Sequence, residues 1–175
     1  RDNVCSHGYG NVGLDVARID MRFCIEPYAY CAFCPEDGIE KEAVNAMDYA
    51  EELYKICNIV SLHIPAAAET KNSINHNLLA NMPKGAILVN TARKEVINED
   101  ELIQLMEERP DFKYITDIMP AANTKFAELF AGRYFSTPKK MGAQTAEANI
   151  NAGIAAARQI VGFLKEGCEK FRVNK

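Results

Sequence analysis

The chain has 175 residues, 48% hydrophobic and 25% charged, with a net charge of −4. That composition suits one soluble globular domain with a substantial core, and the absence of any basic run or face argues against a nucleic-acid partner. No apolar run reaches the roughly 18 residues of a membrane helix and no signal-peptide pattern opens the sequence, so no membrane partner and a cytoplasmic location are expected.

Residues 3–6 read as the tail of a first strand, leading into Gly8-Tyr9-Gly10-Asn11-Val12-Gly13, a G-x-G-x-x-G pattern. In a βαβ unit the first glycine makes the tight turn, the second admits a pyrophosphate to the backbone, and the third lets helix and strand pack closely. Phosphates there meet the unpaired N–H groups and the positive dipole end of the helix. Alone, the motif also fits an ordinary turn, so context has to decide. A helix follows from residue 10 to about 23, with Val12, Val16, Ile19 and Phe23 as an apolar stripe expected to face the core.

A second strand covers residues 27–31, where Pro27 is tolerable only as the first residue. A turn at 35–38 and a charged stretch lead to a helix over about 48–57. Residues 58–64 form a third, nearly all-apolar strand, as buried parallel strands are. A loop and short helix run from Glu69 to about Met82, and the turn Pro83-Lys84-Gly85 enters a fourth strand at 86–91. Asn98, with Glu101 three residues on, signals a capping box for a helix ending near Glu108. Strands at 112–118 and 134–137 follow, then an alanine-rich helix over 143–166 stopped near Gly167.

The six cysteines (Cys5, Cys24, Cys31, Cys34, Cys57, Cys168) are scattered and read mostly as buried small hydrophobes. Cys31-x-x-Cys34 has no second pair or nearby histidine, so no metal site is expected. Alternation of strands and helices implies a Rossmann-type, doubly wound α/β fold: a parallel sheet with helices on both faces, in three layers. The glycine loop, His63, Thr91–Arg93 and Asp117 all fall at strand C-termini, the edge where such sheets bind ligands. Each also has a plainer reading: a hydrogen-bonded core histidine, a surface arginine, an aspartate that only caps a turn.

Ser61-Leu62-His63-Ile64-Pro65 with Glu69-Thr70, then Met82 through Asn90-Thr91-Ala92-Arg93, resembles the signature run of the D-2-hydroxyacid dehydrogenases. Asp117-Ile118 and Ser136-Thr137-Pro138 fall where that family continues, and the likeness covers essentially the whole chain. The resemblance implies NAD as cofactor, with Gly8–Gly13 on the pyrophosphate, His63, Ile64 and Pro65 flanking the adenine side, Asp117 accepting from the nicotinamide carboxamide, and Thr70, Thr91 and Ala92 among the other cofactor-binding residues. It further implies hydride transfer at C2 of a phosphorylated 2-hydroxy acid, most simply 3-phosphoglycerate, whose carboxylate Arg93 would grip with its guanidinium fork. A homodimer follows from resemblance alone.

Three departures stand out. The acid expected about 20 residues beyond the glycines to bind the ribose falls at Cys31. The family's catalytic glutamate is missing from residues 117–123, and its histidine after Thr-Pro is replaced by Lys139 and Lys140, making Lys139 the candidate base, with simple surface lysines as the plain alternative. Third, the expected organisation is a dinucleotide-binding domain over 1–167 and a return segment over 168–175 toward a substrate domain that this chain does not contain. A non-catalytic dinucleotide sensor is the competing functional class.

Overall fold

The structure, a computed structural model, describes residues 3–32, 43–142, 144–170 and 172. It comprises two compact units, residues 1–139 and 140–175. The turn expected at 35–38, with Cys34, lies outside the described residues.

The first unit is a seven-stranded, all-parallel sheet: β1 (Val4–His7), β2 (Pro27–Tyr30), β3 (Asn45–Ala46), β4 (Ile59–Leu62), β5 (Ile87–Asn90), β6 (Lys113–Thr116) and β7 (Tyr134–Ser136). The strand order is β3-β2-β1-β4-β5-β6-β7, so the direction of winding reverses between β1 and β4. That is the Rossmann topology with its crevice at the switch point, as the alternating elements imply. Pro27 is the first residue of β2, where its missing N–H costs the ladder least.

Among the described residues five helices join the strands: α1 (Asn11–Arg22), α2 (Ala50–Ile56), α3 (His76–Leu79), α4 (Glu99–Glu108) and α5 (Asn123–Leu129), with a 3-10 turn at Lys94–Val96. The main core lies on one face, where Val60, Leu62, Leu88 and Tyr114 from the strands meet Leu53, Tyr54, Leu102, Met106 and Phe126 from the helices. On the other face α1 packs on β2 through Ala17, with Ala29, Tyr9 and Val44. Within this unit the far end of that face stays open, with Ile115 and Phe135 exposed.

The stripe expected to bury α1 is corrected: Val12, Ile19 and Phe23 point to solvent, and Gly13 and Ala17 carry the packing instead. The reason is closeness, because a Cβ at Gly13 would collide with the Gly8 carbonyl oxygen, leaving no room for larger side chains on that line.

The cysteines also depart from expectation. Cys5 and Cys57 are buried but joined in a disulfide across 6.0 Å between Cα atoms, because Cys57 lies two residues before β4, the strand that pairs in parallel with β1. Cys31 is likewise disulfide-bonded, whereas Cys24 and Cys168 are free and exposed. Among the described residues no cluster of three metal-ligating side chains occurs.

The helix after Asn98 begins where the capping signal places it, with Asn98 Oδ1 accepting from the Glu101 N–H at 3.3 Å. Glu101 does not complete a reciprocal box: it accepts from the Asn98 side-chain amide (2.7 Å) and the His76 N–H (2.8 Å), while the Asn98 N–H donates to Ile74. Helix α5 gives no such local signal. Its entry is held from a distance, the Glu99 carboxylate accepting from the N–H groups of Ala121 and Ala122 at 3.0 and 2.8 Å.

The second unit contains α6 (Ala146–Glu166), capped by Thr145 Oγ1, which accepts from the Ala148 N–H at 3.0 Å. It ends at Gly167, whose φ of +65° lets the chain turn back. No helix among the described residues is long and apolar enough to cross a membrane.

Candidate functional site

Register builds the site. Tyr30, His7, Leu62, Asn90, Thr116 and Ser136 pair across consecutive strands at their C-terminal ends. The residues that follow them, Cys31, Gly8, His63, Thr91, Asp117 and Thr137, therefore come off the sheet in one row. With about 4.8 Å between strands, Gly8 and Asp117 stand three steps or roughly 14 Å apart along the edge.

At the glycine loop, Gly8 has φ +99°, a conformation L side chains rarely adopt, and a Cβ there would come within 2.8 Å of the His63 carbonyl. Gly10 caps the N-terminus of α1, and a Cβ on it would meet nothing within 4 Å. Gly8 and Gly13 are thus demanded by the protein's own packing. Gly10 leaves open space in front of a helix N-terminus, the arrangement an anion needs.

A cavity of about 770 Å³ opens beside this loop, within the range of small-molecule sites. It is lined by the expected Gly8, Tyr9, Gly10, Cys31, His63, Ile64, Pro65 and Thr70. Thr70 shapes its rim, donating to the Pro65 carbonyl (2.6 Å) and accepting from the Ala67 N–H (2.8 Å). His7, Tyr30, Glu51, Glu69, Asn75, Asn77 and Asn81 also line it, and the sequence reading missed them. Only the polar run after Pro65 could have signalled some of these.

Two histidines sit in the cavity wall. His7 Nδ1 pairs with the Tyr54 hydroxyl at 3.0 Å, and burial together with neighbouring His63 lowers its pKa to about 4. Burial also lowers His63 to about 4, so both rings are neutral at pH 7. His63 Nε2 is buried with no hydrogen-bond partner among the described residues, which sets aside the satisfied core histidine. An orphaned polar atom, a glycine cradle and a cavity of this size together fit a dinucleotide.

Farther along the row, Asn90 is fully buried and organises the next loop. Its side chain accepts from the Ala92 N–H at 3.0 Å and donates to the Arg93 carbonyl at 2.9 Å. Arg93 itself is exposed, its Nη1 donating to the Ala92 carbonyl at 2.8 Å. Asp117 Oδ1 accepts from Thr137 Oγ1 at 2.8 Å, which ties the ends of β6 and β7. Asn11, Val12, Thr91, Ala92, Arg93, Asp117 and Lys139 do not line the cavity, and Lys139 is exposed.

Residues 1–133 match the sequence model of the D-isomer specific 2-hydroxyacid dehydrogenases, NAD binding domain, and the chain belongs to that family. It is 31% identical over 173 residues to a D-3-phosphoglycerate dehydrogenase of Haemophilus influenzae, covering 95% of this chain and 41% of the relative. It is also 31% identical over 157 residues to a hydroxypyruvate reductase of Thermotoga maritima, covering 87% of this chain and 50% of the relative. Among solved structures, the NAD+-bound 3-phosphoglycerate dehydrogenase of Entamoeba histolytica superimposes with a TM-score of 0.85 at 41% identity, covering 100% of this chain and 56% of that one. The chain thus spans about half the length, or less, of these relatives.

Proposed function

We propose that this chain is the dinucleotide domain of an NAD-dependent dehydrogenase that interconverts 3-phosphoglycerate and 3-phosphohydroxypyruvate. The observation that carries it is the row: glycine loop, His63, Arg93 loop and Asp117 aligned along one sheet edge at the switch point. In this reading the loop Gly8–Gly13 holds the pyrophosphate, and His63–Pro65 with Thr70 flank the adenosine. Thr91 and Ala92 bound the nicotinamide side, and Asp117, steadied by Thr137, accepts from the carboxamide.

The bound dinucleotide supplies the hydride acceptor or donor. Arg93 holds the substrate carboxylate through its planar fork, which suits two oxygens as a lysine's point charge does not. Lys139, standing where the family places a histidine, takes the hydroxyl proton. It is exposed here, so desolvation of its amine falls to a surface that closes over it in the whole enzyme. The names of the relatives support the phosphorylated substrate, and the hydroxypyruvate reductase among them marks the nearest competitor. Residues 168–175 then begin the return to a substrate domain, and a cytoplasmic homodimer serving serine formation completes the reading.

The missing glutamate and histidine favour one other reading, a dinucleotide sensor without turnover. Absorbance of NADH with the full-length protein separates the two. Consumption with 3-phosphohydroxypyruvate in preference to hydroxypyruvate and pyruvate is expected; NADH binding without turnover on any 2-oxo acid overturns the enzyme in favour of the sensor.

A further inference from the structure

Among the described residues, the end of the second strand does not supply the acid that usually reads a ribose there. Cys31 occupies that place and lines the cavity, but its sulfur is disulfide-bonded, so it carries neither a carboxylate's charge nor its two accepting oxygens. A dinucleotide site without an acid there loses both an acceptor for the ribose hydroxyls and a negative charge that turns away a 2′-phosphate.

Among the described residues lining the cavity, the charged side chains are two carboxylates, Glu51 and Glu69, and no lysine or arginine is present. Neither glutamate has a hydrogen-bond or ion-pair partner among the described residues, so both are available to a ligand. Their positions differ. Glu69 belongs to the turn after β4, beside Thr70. Glu51 is the second residue of α2, which packs against β2, and it shares the β2 side of the cavity with Tyr30, Cys31, Ala32 and Ala50.

We propose that Glu51 is the residue that selects NAD over NADP, reaching from α2 to accept from the adenosine ribose hydroxyls in place of the missing β2-end acid. Its charge repels a 2′-phosphate, and no cation among the described cavity residues offsets that repulsion. The ribose is thus read from the helix across the crevice, and the strand end is left to a disulfide. This rests on the dinucleotide reading of the cavity.

The test titrates NADH and NADPH against the full-length protein by nucleotide fluorescence, comparing wild type with Glu51→Gln, Glu51→Arg and Glu69→Gln. Glu51 is exposed, so the variants keep the fold, which a thermal melt confirms. Wild type binding NADH well ahead of NADPH, a roughly tenfold weaker NADH affinity in Glu51→Gln, and a gain of tenfold or more in NADPH affinity in Glu51→Arg support the assignment; such factors are what one charge-assisted hydrogen bond commands. An unchanged preference in Glu51→Gln, or a shift produced by Glu69→Gln instead, overturns it. A wild-type protein that binds neither nucleotide overturns the dinucleotide reading itself, a failure distinct from the loss of the Glu51 role.

Discussion

His7 and Tyr54 meet Nδ1 to hydroxyl at 3.0 Å in the wall of the cavity beside the glycine loop, so the residue before that loop is anchored to α2 by a buried hydrogen bond. Both partners are almost wholly shielded from water. Replacing Tyr54 by Phe removes the hydroxyl and leaves a buried imidazole nitrogen unsatisfied, at a cost of about 1–3 kcal/mol. Urea unfolding of the variant at pH 7 should show that loss, and an unaltered midpoint contradicts it.

The same histidine makes the fold sensitive to acid. Its pKa falls to about 4 in the folded chain from an ordinary 6.5, and His63 moves the same way. The unfolded chain therefore binds more protons below pH 6.5, so stability is full above that pH and declines as pH drops toward 4. A single such group accounts for about 3 kcal/mol by pH 4. Unfolding free energies measured at pH 7, 5.5 and 4.5 should fall in that order, and His7→Gln should flatten the slope.

The three glycines of the loop should respond differently to alanine. At Gly8 and Gly13 a methyl group strikes backbone, so both variants lose stability, on the order of 2 kcal/mol or more. At Gly10 the space is open, and Gly10→Ala should melt like wild type yet bind NADH at least tenfold more weakly, because in the proposed site the methyl stands where the pyrophosphate approaches. Equal NADH affinity in that variant removes Gly10 from the phosphate site.

Arg93→Lys retains the charge and loses the fork, and the expected result is a KM for 3-phosphohydroxypyruvate raised by about ten- to a hundredfold. Lys139→Met should instead lower kcat by about a hundredfold or more with little change in KM, the behaviour of a lost proton acceptor. A drop confined to Lys140→Met transfers the role to its neighbour.

Glu99 caps a helix it does not belong to. Glu99→Gln keeps shape and removes the charge of the carboxylate oxygens that accept from the Ala121 and Ala122 N–H groups at 3.0 and 2.8 Å, so α5 should fray first. A loss of about 1 kcal/mol, with faster amide exchange confined to 121–130, is the expected outcome.

What could be read from the sequence was whatever is written locally. The runs Ile59–Leu62 and Ile87–Asn90 announce buried strands, Asn98 announces a helix start, and the segment Asn90–Arg93 announces the family. What escaped depends on partners far along the chain. Cys5 finds Cys57 only because two parallel elements adjoin, and α5 is capped from Glu99. The α1 stripe misled because a glycine-to-backbone approach at Gly13 brings helix and loop too close for Val12 or Ile19 to fit. Glu51 carries no motif at all, and only the cavity wall brings it forward.

Because Cys31, Gly8, His63, Thr91, Asp117 and Thr137 each stand one residue beyond paired strand ends, the sheet acts as a ruler for the crevice above it. One inserted residue in β5 would both push the Asn90 loop off the line and reverse the parity of the strand, turning Leu88 and Asn90 away from the core. Strand length in this protein is therefore as much a determinant of ligand fit as any side chain that touches the ligand.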